Sequence, residues 1–161
     1  TWVNGRRLAI GAEADLLMAW VSFALSVGLQ PCSVVAPVNQ PWLAGLPVES
    51  VRIGDLQDLV DGIDPRASGP LAPRAVDLLL SNSHGADLAA ELDIPLLRIG
   101  FPIYDRMGEF RRTRQGYAGM RDTLFEIGNL MQERCHGRAV HHSPLKQQFT
   151  DEQMAEELRH V

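Results

Sequence analysis

The sequence predicts an α/β fold: a doubly wound sheet of about five mainly parallel strands in three layers, followed by a C-terminal helix and a tail. Short apolar runs that are typical of buried strands alternate along the chain with segments of helical pattern. Such alternation indicates β-α-β units, whose right-handed crossovers make successive strands parallel neighbours. A chain of 161 residues is long enough for one such domain and short for two.

The predicted elements follow from local composition. We expect strands at residues 7–10, 33–38, 50–53, 76–81 and 95–100, and helices at 15–27, 56–60, 86–92 and 117–134. The first helix is apolar nearly all round, which predicts burial on most sides, and Gly28 follows it as a left-handed cap. The last helix carries one apolar stripe, formed by Met120, Leu124, Ile127 and Met131. Segment 62–74 holds three prolines and is expected to be a surface loop, disordered like the tail.

Charge and composition exclude several classes of protein. The net charge of -5 does not indicate a nucleic-acid binder. No stretch approaches the ~20 apolar residues of a membrane span, so we expect no membrane contact. The absence of a signal-peptide pattern says little about the parent of a partial chain, and the cytoplasmic location that we expect goes with cysteines interpreted as reduced thiols. Cys32 and Cys135 are far apart in sequence, which favours two reduced thiols over a disulfide. Because the chain begins at Thr1 without a start methionine, we interpret it as a piece of a longer polypeptide.

The carboxyl ends of the fourth and fifth predicted strands hold the candidate pocket residues. Ligands of an open parallel sheet collect at this edge. The candidates are Asn82, Ser83, His84, Phe101, Tyr104 and Asp105. Alternatively, Asn82 or Ser83 caps the helix that follows. Neighbouring serine and histidine side chains point in different directions, so we predict no catalytic residue.

Other common sites are absent from the sequence or poorly matched. The turn at residues 10–15 has one glycine, and an acid stands where a dinucleotide fingerprint needs open backbone donors, which argues against NAD or FAD. The spacing of Cys135, His136, His141 and His142 matches no common zinc pattern, so we predict no metal ligand.

Arginines are concentrated before the last helix, where Arg106, Arg111, Arg112 and Arg114 precede Arg121. Such a group either pairs with the chain's own acids or clamps a neighbouring domain, subunit or anionic ligand. We predict that the first four are interface residues.

Two strings are more specific than a general α/β pattern: Ile99-Gly100-Phe101-Pro102-Ile103-Tyr104-Asp105-Arg106 and Gly116-Tyr117-Ala118-Gly119. They resemble the last domain of β-type subunits in the nitrogenase component 1 family. Residues 1–7, 15–18 and 81–84 fall where that family has similar strings. The resemblance implies a Rossmann-like C-terminal domain over residues 1–142 and a tail over 143–161, partly disordered or partner-bound.

Within this family, the resemblance favours a β-like subunit of the scaffold on which the nitrogenase iron-molybdenum cofactor precursor is matured. Residues 52–59 and 82–84 look more like the scaffold, and residues 107–109 hold no histidine where nitrogenase β-subunits more often carry several. The β-subunit of the molybdenum-iron protein, a stand-alone small-molecule binding module and a dark-operative tetrapyrrole reductase remain alternatives.

The resemblance also implies partners and cofactors for the parent protein. It implies a NifE-like α-type subunit, a reductase iron protein and cluster-donating assembly proteins, together with an iron-sulfur cluster and the molybdenum-cofactor precursor. The α-type subunits place a cofactor-ligating histidine near the end of the fifth strand, where this chain has Gly100, Phe101 and Pro102. None of these side chains binds iron or molybdenum. We therefore expect this fragment to hold no cofactor, and to act as framework and subunit interface rather than as a catalyst.

Overall fold

The computed structural model of the chain describes residues 2–63 and 76–136, with side chains up to residue 134. The regular elements are β1 (Arg7–Gly11), α1 (Ala14–Ser26), β2 (Gln30–Ala36), a 3-10 turn (Pro41–Gly45), β3 (Arg52–Ile53), α2 (Leu56–Asp61), β4 (Leu78–Ser81), α3 (Gly85–Glu91), β5 (Leu96–Arg98), a second 3-10 turn (Glu109–Arg111) and α4 (Gly116–His136).

The five strands form one sheet in the order β3-β2-β1-β4-β5. All four strand pairs are parallel. The order reverses at β1, so the loops that follow β1 and β4 diverge and leave a crevice at the carboxyl edge. This topology confirms the predicted α/β class and the parallel pairing of the first two strands, and it is that of a Rossmann-like domain.

Helices cover the two faces of the sheet and complete three layers. Because successive strand residues point to opposite faces, Ile10 and Leu80 pack into the core on the side of α1 and α4. Ala9 and Leu79 pack into a second core, together with Leu59 of α2 and Ala89 of α3. Every residue of β4 is buried, as expected for a central parallel strand.

The two long helices differ from expectation in one respect each. We predicted burial of the first helix on most sides, but Met18 and Leu25 of α1 are exposed, because nothing in the described part of the chain packs there. The stripe of α4 is buried at Ile127 and Met131, whereas Met120 is 39% exposed. Gly28 has φ +82, which confirms the left-handed cap after α1.

Three expectations fall outside the described residues. These are most of the loop predicted at 62–74, the domain boundary at 142 and the tail at 143–161. Within the described ranges, no helix combines the length and apolar character that a membrane crossing requires.

Candidate functional site

The polypeptide between β5 and α4, residues 99–115, lies at the carboxyl edge of the sheet beside the turn that follows β4. We call it the β5–α4 segment. It leaves the strand through Gly100, whose φ of +72 is unfavourable for other residues, and continues through a cis peptide bond between Phe101 and Pro102. A Cβ atom at Gly100 would also lie 3.1 Å from Cδ1 of Leu16 on α1. Both backbone conformation and close packing therefore favour glycine where the segment begins.

The turn after β4 holds the backbone of the β5–α4 segment through three hydrogen bonds. Asn82 Nδ2 donates to the carbonyl oxygen of Phe101 at 3.1 Å, and the Ser83 amide donates to the carbonyl oxygen of Pro102 at 3.1 Å. The Tyr104 amide donates to Ser83 Oγ at 3.0 Å. Two sequence-predicted pocket residues, Asn82 and Ser83, therefore act as anchors for a neighbouring loop.

Helix capping, the alternative role for Asn82 and Ser83, is wrong for their side chains. Asn82 Oδ1 accepts from the amide of His84, one residue before α3 begins, and Ser83 Oγ bonds to the β5–α4 segment. His84 occupies the N-cap position without a side-chain capping bond. Both side chains form hydrogen bonds with residues that lie 19 to 22 positions further along the chain. A local sequence pattern does not indicate contacts over such a separation.

Asp105 links the segment both to the end of β5 and to the turn after β4. Arg98, at the end of β5, donates from Nε to both carboxylate oxygens, at 2.8 and 2.9 Å, and from Nη2 at 2.5 Å. Ser83 Oγ donates to the same carboxylate at 2.5 Å. These bonds, first those from Arg98 and then that from Ser83, hold the pKa of Asp105 well below its usual range. A carboxylate that stays ionised in this way serves as a fixed acceptor and not as a proton donor near neutral pH.

A cleft of about 210 Å³ lies at the point where the strand order reverses. Three of the six pocket candidates line it, namely Asn82, His84 and Phe101, and Glu13 and Asp55 contribute carboxylates. Ser83, Tyr104 and Asp105 are not among its lining residues. Tyr104 instead packs edge-on against His84, with ring centroids 5.7 Å apart. The two carboxylates disfavour a phosphate ligand in this cleft, which agrees with the poor dinucleotide fingerprint.

Three of the four predicted interface arginines belong to an internal ion-pair group that we call the Arg–Glu cluster: Arg106, Arg112, Arg114, Glu109 and Glu126. Glu126, on α4, accepts from Arg106 at 3.0 Å, and its other oxygen lies 2.8 Å from Arg112 and 3.0 Å from Arg114. Arg114 also pairs with Glu109, which is buried. The cluster ties the β5–α4 segment to α4.

Arg111, the fourth predicted interface residue, is exposed and forms none of the ion pairs of this cluster. Its guanidinium carbon lies 5.8 Å from the ring centroid of Phe110. Large apolar side chains along the same stretch are mostly exposed, with exposed fractions of 84% for Phe101, 88% for Phe110 and 97% for Tyr117. Met107 and Tyr104 are exposed as well. The segment thus combines a firmly held backbone with an unusually apolar surface.

Sequence reasoning missed two parts of this site. Glu126 is 20 residues from Arg106, and neither residue type nor spacing indicates that they meet. The apolar surface could have been predicted from the sequence: Met107 and Phe110 interrupt a polar stretch before the last helix, and Tyr117 follows at the start of that helix.

The described residues do not fit an iron-sulfur cluster. Within the part of the chain that the structure covers, no group of three or more histidine, cysteine, aspartate or glutamate side chains is placed to hold a metal ion. Cys32, on β2, donates to the carbonyl oxygen of Leu8 at 3.4 Å, and burial raises the pKa of its thiol, which disfavours the ligating thiolate. The predictions about Cys135, His136, His141 and His142 concern side chains outside the described part.

Comparison with known families identifies the class of protein. A family model described as "Nitrogenase component 1 type Oxidoreductase" matches residues 1–132. The chain belongs to this family. The fold and the family are those that the strings at residues 99–106 and 116–119 implied.

Individual members of the family show which proteins this chain is similar to. The chain is 53% identical, over 91% of its length, to the "Nitrogenase iron-molybdenum cofactor biosynthesis protein NifN" of Klebsiella pneumoniae, and 40% identical over 80% of its length to the protein of the same name from Nostoc sp.. It covers 30% and 27% of those proteins. A solved structure titled "Nitrogenase Cp1 at pH 6.5" matches with a TM-score of 0.72 and 26% identity, over 88% of this chain and 32% of that one. The chain thus spans about a third of the length of its relatives.

Replacing Asp105 by Asn is expected to lower stability at neutral pH, because it removes the ionised acceptor of Arg98. The native pKa of Asp105 is depressed, so the carboxylate stabilises the fold fully above the unfolded-state pKa of about 3.9 and loses this contribution as pH falls below it. The difference between the urea midpoints of the two proteins should therefore narrow progressively below about pH 4, when measured from pH 7 to pH 2.5. A difference that stays constant across this range would contradict the assignment.

Replacing Glu126 by Ala should destabilise the protein by about 1–3 kcal/mol, between the values typical of exposed and buried ion pairs, since three arginines lose a shared partner. The matched control is Asp122→Ala, which breaks the exposed pair with Arg121 on the same helix and should cost less than about 1 kcal/mol. If both variants lose the same free energy of unfolding in chemical denaturation, the Arg–Glu cluster stabilises the protein no more than an exposed ion pair does.

Purified chain should contain no iron-sulfur cluster after anaerobic reconstitution with iron and sulfide. The reasons are that no ligand group is placed for a metal within residues 2–63 and 76–134, and that the sequence spacing of Cys135, His136, His141 and His142 matches no common zinc pattern. Iron and acid-labile sulfide assays, with the visible absorption spectrum, provide the measurement. Stoichiometric iron that survives desalting would overturn this expectation.

Proposed function

We propose that this chain is the C-terminal Rossmann-like domain of a NifN-type subunit, within a NifE–NifN scaffold on which the nitrogenase iron-molybdenum cofactor precursor is matured. Its own role there is framework and docking rather than catalysis. Two relatives named for iron-molybdenum cofactor biosynthesis, at 53% and 40% identity, support the scaffold over the catalytic nitrogenase β-subunit. The solved nitrogenase chain is more distant, at 26% identity.

The observation that carries the docking role is the contrast within the β5–α4 segment. Its backbone is fixed by Asn82, Ser83 and Arg98 on one side and by Glu126 on the other. Its apolar side chains nevertheless face solvent. Exposed apolar surface on a soluble domain marks contact sites, and a preorganised loop loses little entropy when a partner binds.

Arg111 gives this surface a charged group suited to recognition. It takes no part in the Arg–Glu cluster, and its guanidinium lies over an exposed aromatic ring. Arginine and aromatic residues are enriched among the side chains that dominate protein interfaces. We assign the partner as a NifE-like α-type subunit with an acidic, partly apolar contact surface. The reductase iron protein and the cluster-donating proteins are partners of the parent complex, and we place none of their contacts on this domain.

Replacing Arg111 by Glu in the full-length subunit should weaken association with the co-expressed NifE-like subunit by about tenfold or more, the loss typical of a central interface residue. Arg111 is the sharper choice over Arg112, because reversing Arg112 would also break its pair with Glu126. Gel filtration and affinity co-purification measure the assembly.

Arg52→Glu provides the matched control, because Arg52 lies on β3, the strand at the opposite edge of the sheet from β5. It should leave assembly unchanged. Normal assembly of the Arg111 variant, or an equal defect in the Arg52 variant, would remove the β5–α4 segment from the interface.

A further inference from the structure

A groove of about 760 Å³ lies between α1, the β5–α4 segment and the first turns of α4. Apolar side chains from all three line it, including Leu16, Trp20, Phe23, Ile103, Phe110 and Met120. Arg106, Arg112 and Arg114 form one wall. The groove is distinct from the cleft at the strand-order reversal, with which it shares Ile99, Gly100 and Phe101.

A buried acceptor in this wall lacks a hydrogen bond. Glu109 is 7% exposed, and its Oε2 accepts no hydrogen bond, although Arg112 Nε and Arg106 Nε lie 3.5 and 3.8 Å away. Buried oxygen atoms without a donor are uncommon, because each carries a desolvation cost. Together with the exposed Met120, this atom indicates that the groove is shaped for an occupant with both apolar and polar groups.

The chain itself holds a segment of complementary chemistry beyond residue 136. Thr150 and Gln153 have the spacing of a capping box, and Phe149 and Met154 have that of a hydrophobic staple, which together predict a helix start. Met154 and Leu158 then recur at the helical period. Around them stand four carboxylates and one arginine, which are Asp151, Glu152, Glu156, Glu157 and Arg159. An acidic amphipathic segment of this kind matches an apolar groove with arginines along its wall.

The connecting residues are long enough to bring this segment to the groove. The groove borders the first turns of α4, and the described chain ends at the far end of the same helix. Met120 and His136 are separated by a rise of about 24 Å along the helix axis. Residues 137–146 span up to about 33 Å when extended. The segment can therefore return along α4.

We propose that residues 147–160 dock into this groove of their own chain. Met154 and Leu158 pack on the apolar lining, and the acidic side chains face the arginines of the groove, Arg106, Arg112 and Arg114. Polar groups of the segment supply a donor to Glu109 Oε2. Docking covers Phe101 and Phe110, two of the exposed aromatic residues, when no other protein occupies them. The inference does not rest on the proposed function, since groove and segment belong to one polypeptide.

The test replaces Phe110 by the photoreactive p-benzoylphenylalanine in the 161-residue chain, at a site whose side chain is exposed. Irradiation of a mixture of isotopically light and heavy protein, followed by mass spectrometry, distinguishes crosslinks within one chain from crosslinks between chains. Crosslinks within one chain to residues 147–160 are expected. Crosslinks to a second copy, to other parts of the chain, or none at all would overturn the proposal.

Two matched variants of the segment test the packing. Met154→Glu should lower the crosslink yield about tenfold, because it places a charge on the docked apolar face. Ala155→Glu adds the same charge about 100° around the helix and should change the yield less than about twofold. Equal effects of the two variants would overturn the docked orientation.

A shortened chain that ends at Lys146 gives an independent measurement. Amide hydrogen exchange across residues 101–117 should become several-fold faster without the segment, as expected when a covering element is removed. Unchanged exchange in a chain that retains its fold by circular dichroism would overturn the proposal.

Discussion

The bidentate contact between Arg98 and Asp105 is the interaction on which the architecture of the carboxyl edge depends. It connects the last residue of β5 to a loop residue seven positions later, and Ser83 from the neighbouring turn bonds to the same carboxylate. A strand end, a turn and a loop therefore meet at one ionised group. Without that group, a guanidinium and a hydroxyl would lose their shared acceptor, and only the backbone bonds from Asn82 and Ser83 and the Arg–Glu cluster would still hold the segment on its course toward α4.

Ligands of parallel sheets usually bind at the carboxyl edge. In this protein, polar side chains at that edge form hydrogen bonds that hold the structure together. Asn82 and Ser83 bond to the backbone of the β5–α4 segment, and Asp105 is held as a carboxylate. Groups with satisfied hydrogen bonds and fixed charge are poorly suited to bind or activate a substrate. The same bonds make the loop a rigid platform, and rigidity with an exposed apolar surface suits a docking face. The framework role that we propose rests on how these polar atoms are used, and not on the fold class alone, which supports many activities.

Two acidic side chains separate the arginines of the β5–α4 segment into those with internal ion pairs and one without. Glu109 and Glu126 bind Arg106, Arg112 and Arg114, and this neutralises part of the positive charge beside the groove. Arg111 is exposed, lies over the Phe110 ring and forms none of these ion pairs, so it is available for an external contact. Composition had suggested either internal pairing or an external clamp. The structure places three of the four predicted interface arginines in internal pairs, and their part in subunit contact stays a prediction.

Sequence alone determined the parallel sheet, the left-handed glycine after α1 and the buried half of α4, because each depends on local periodicity or on backbone preference. It also carried the family, through the strings at residues 99–106 and 116–119. Only the tertiary structure decided that Ser83 anchors a loop and that Glu126 gathers three arginines. The physical reason is that these contacts join residues from different elements, whose meeting depends on how the sheet and helices pack. Local sequence encodes each element, whereas the chemistry at the edge of the sheet arises from their arrangement.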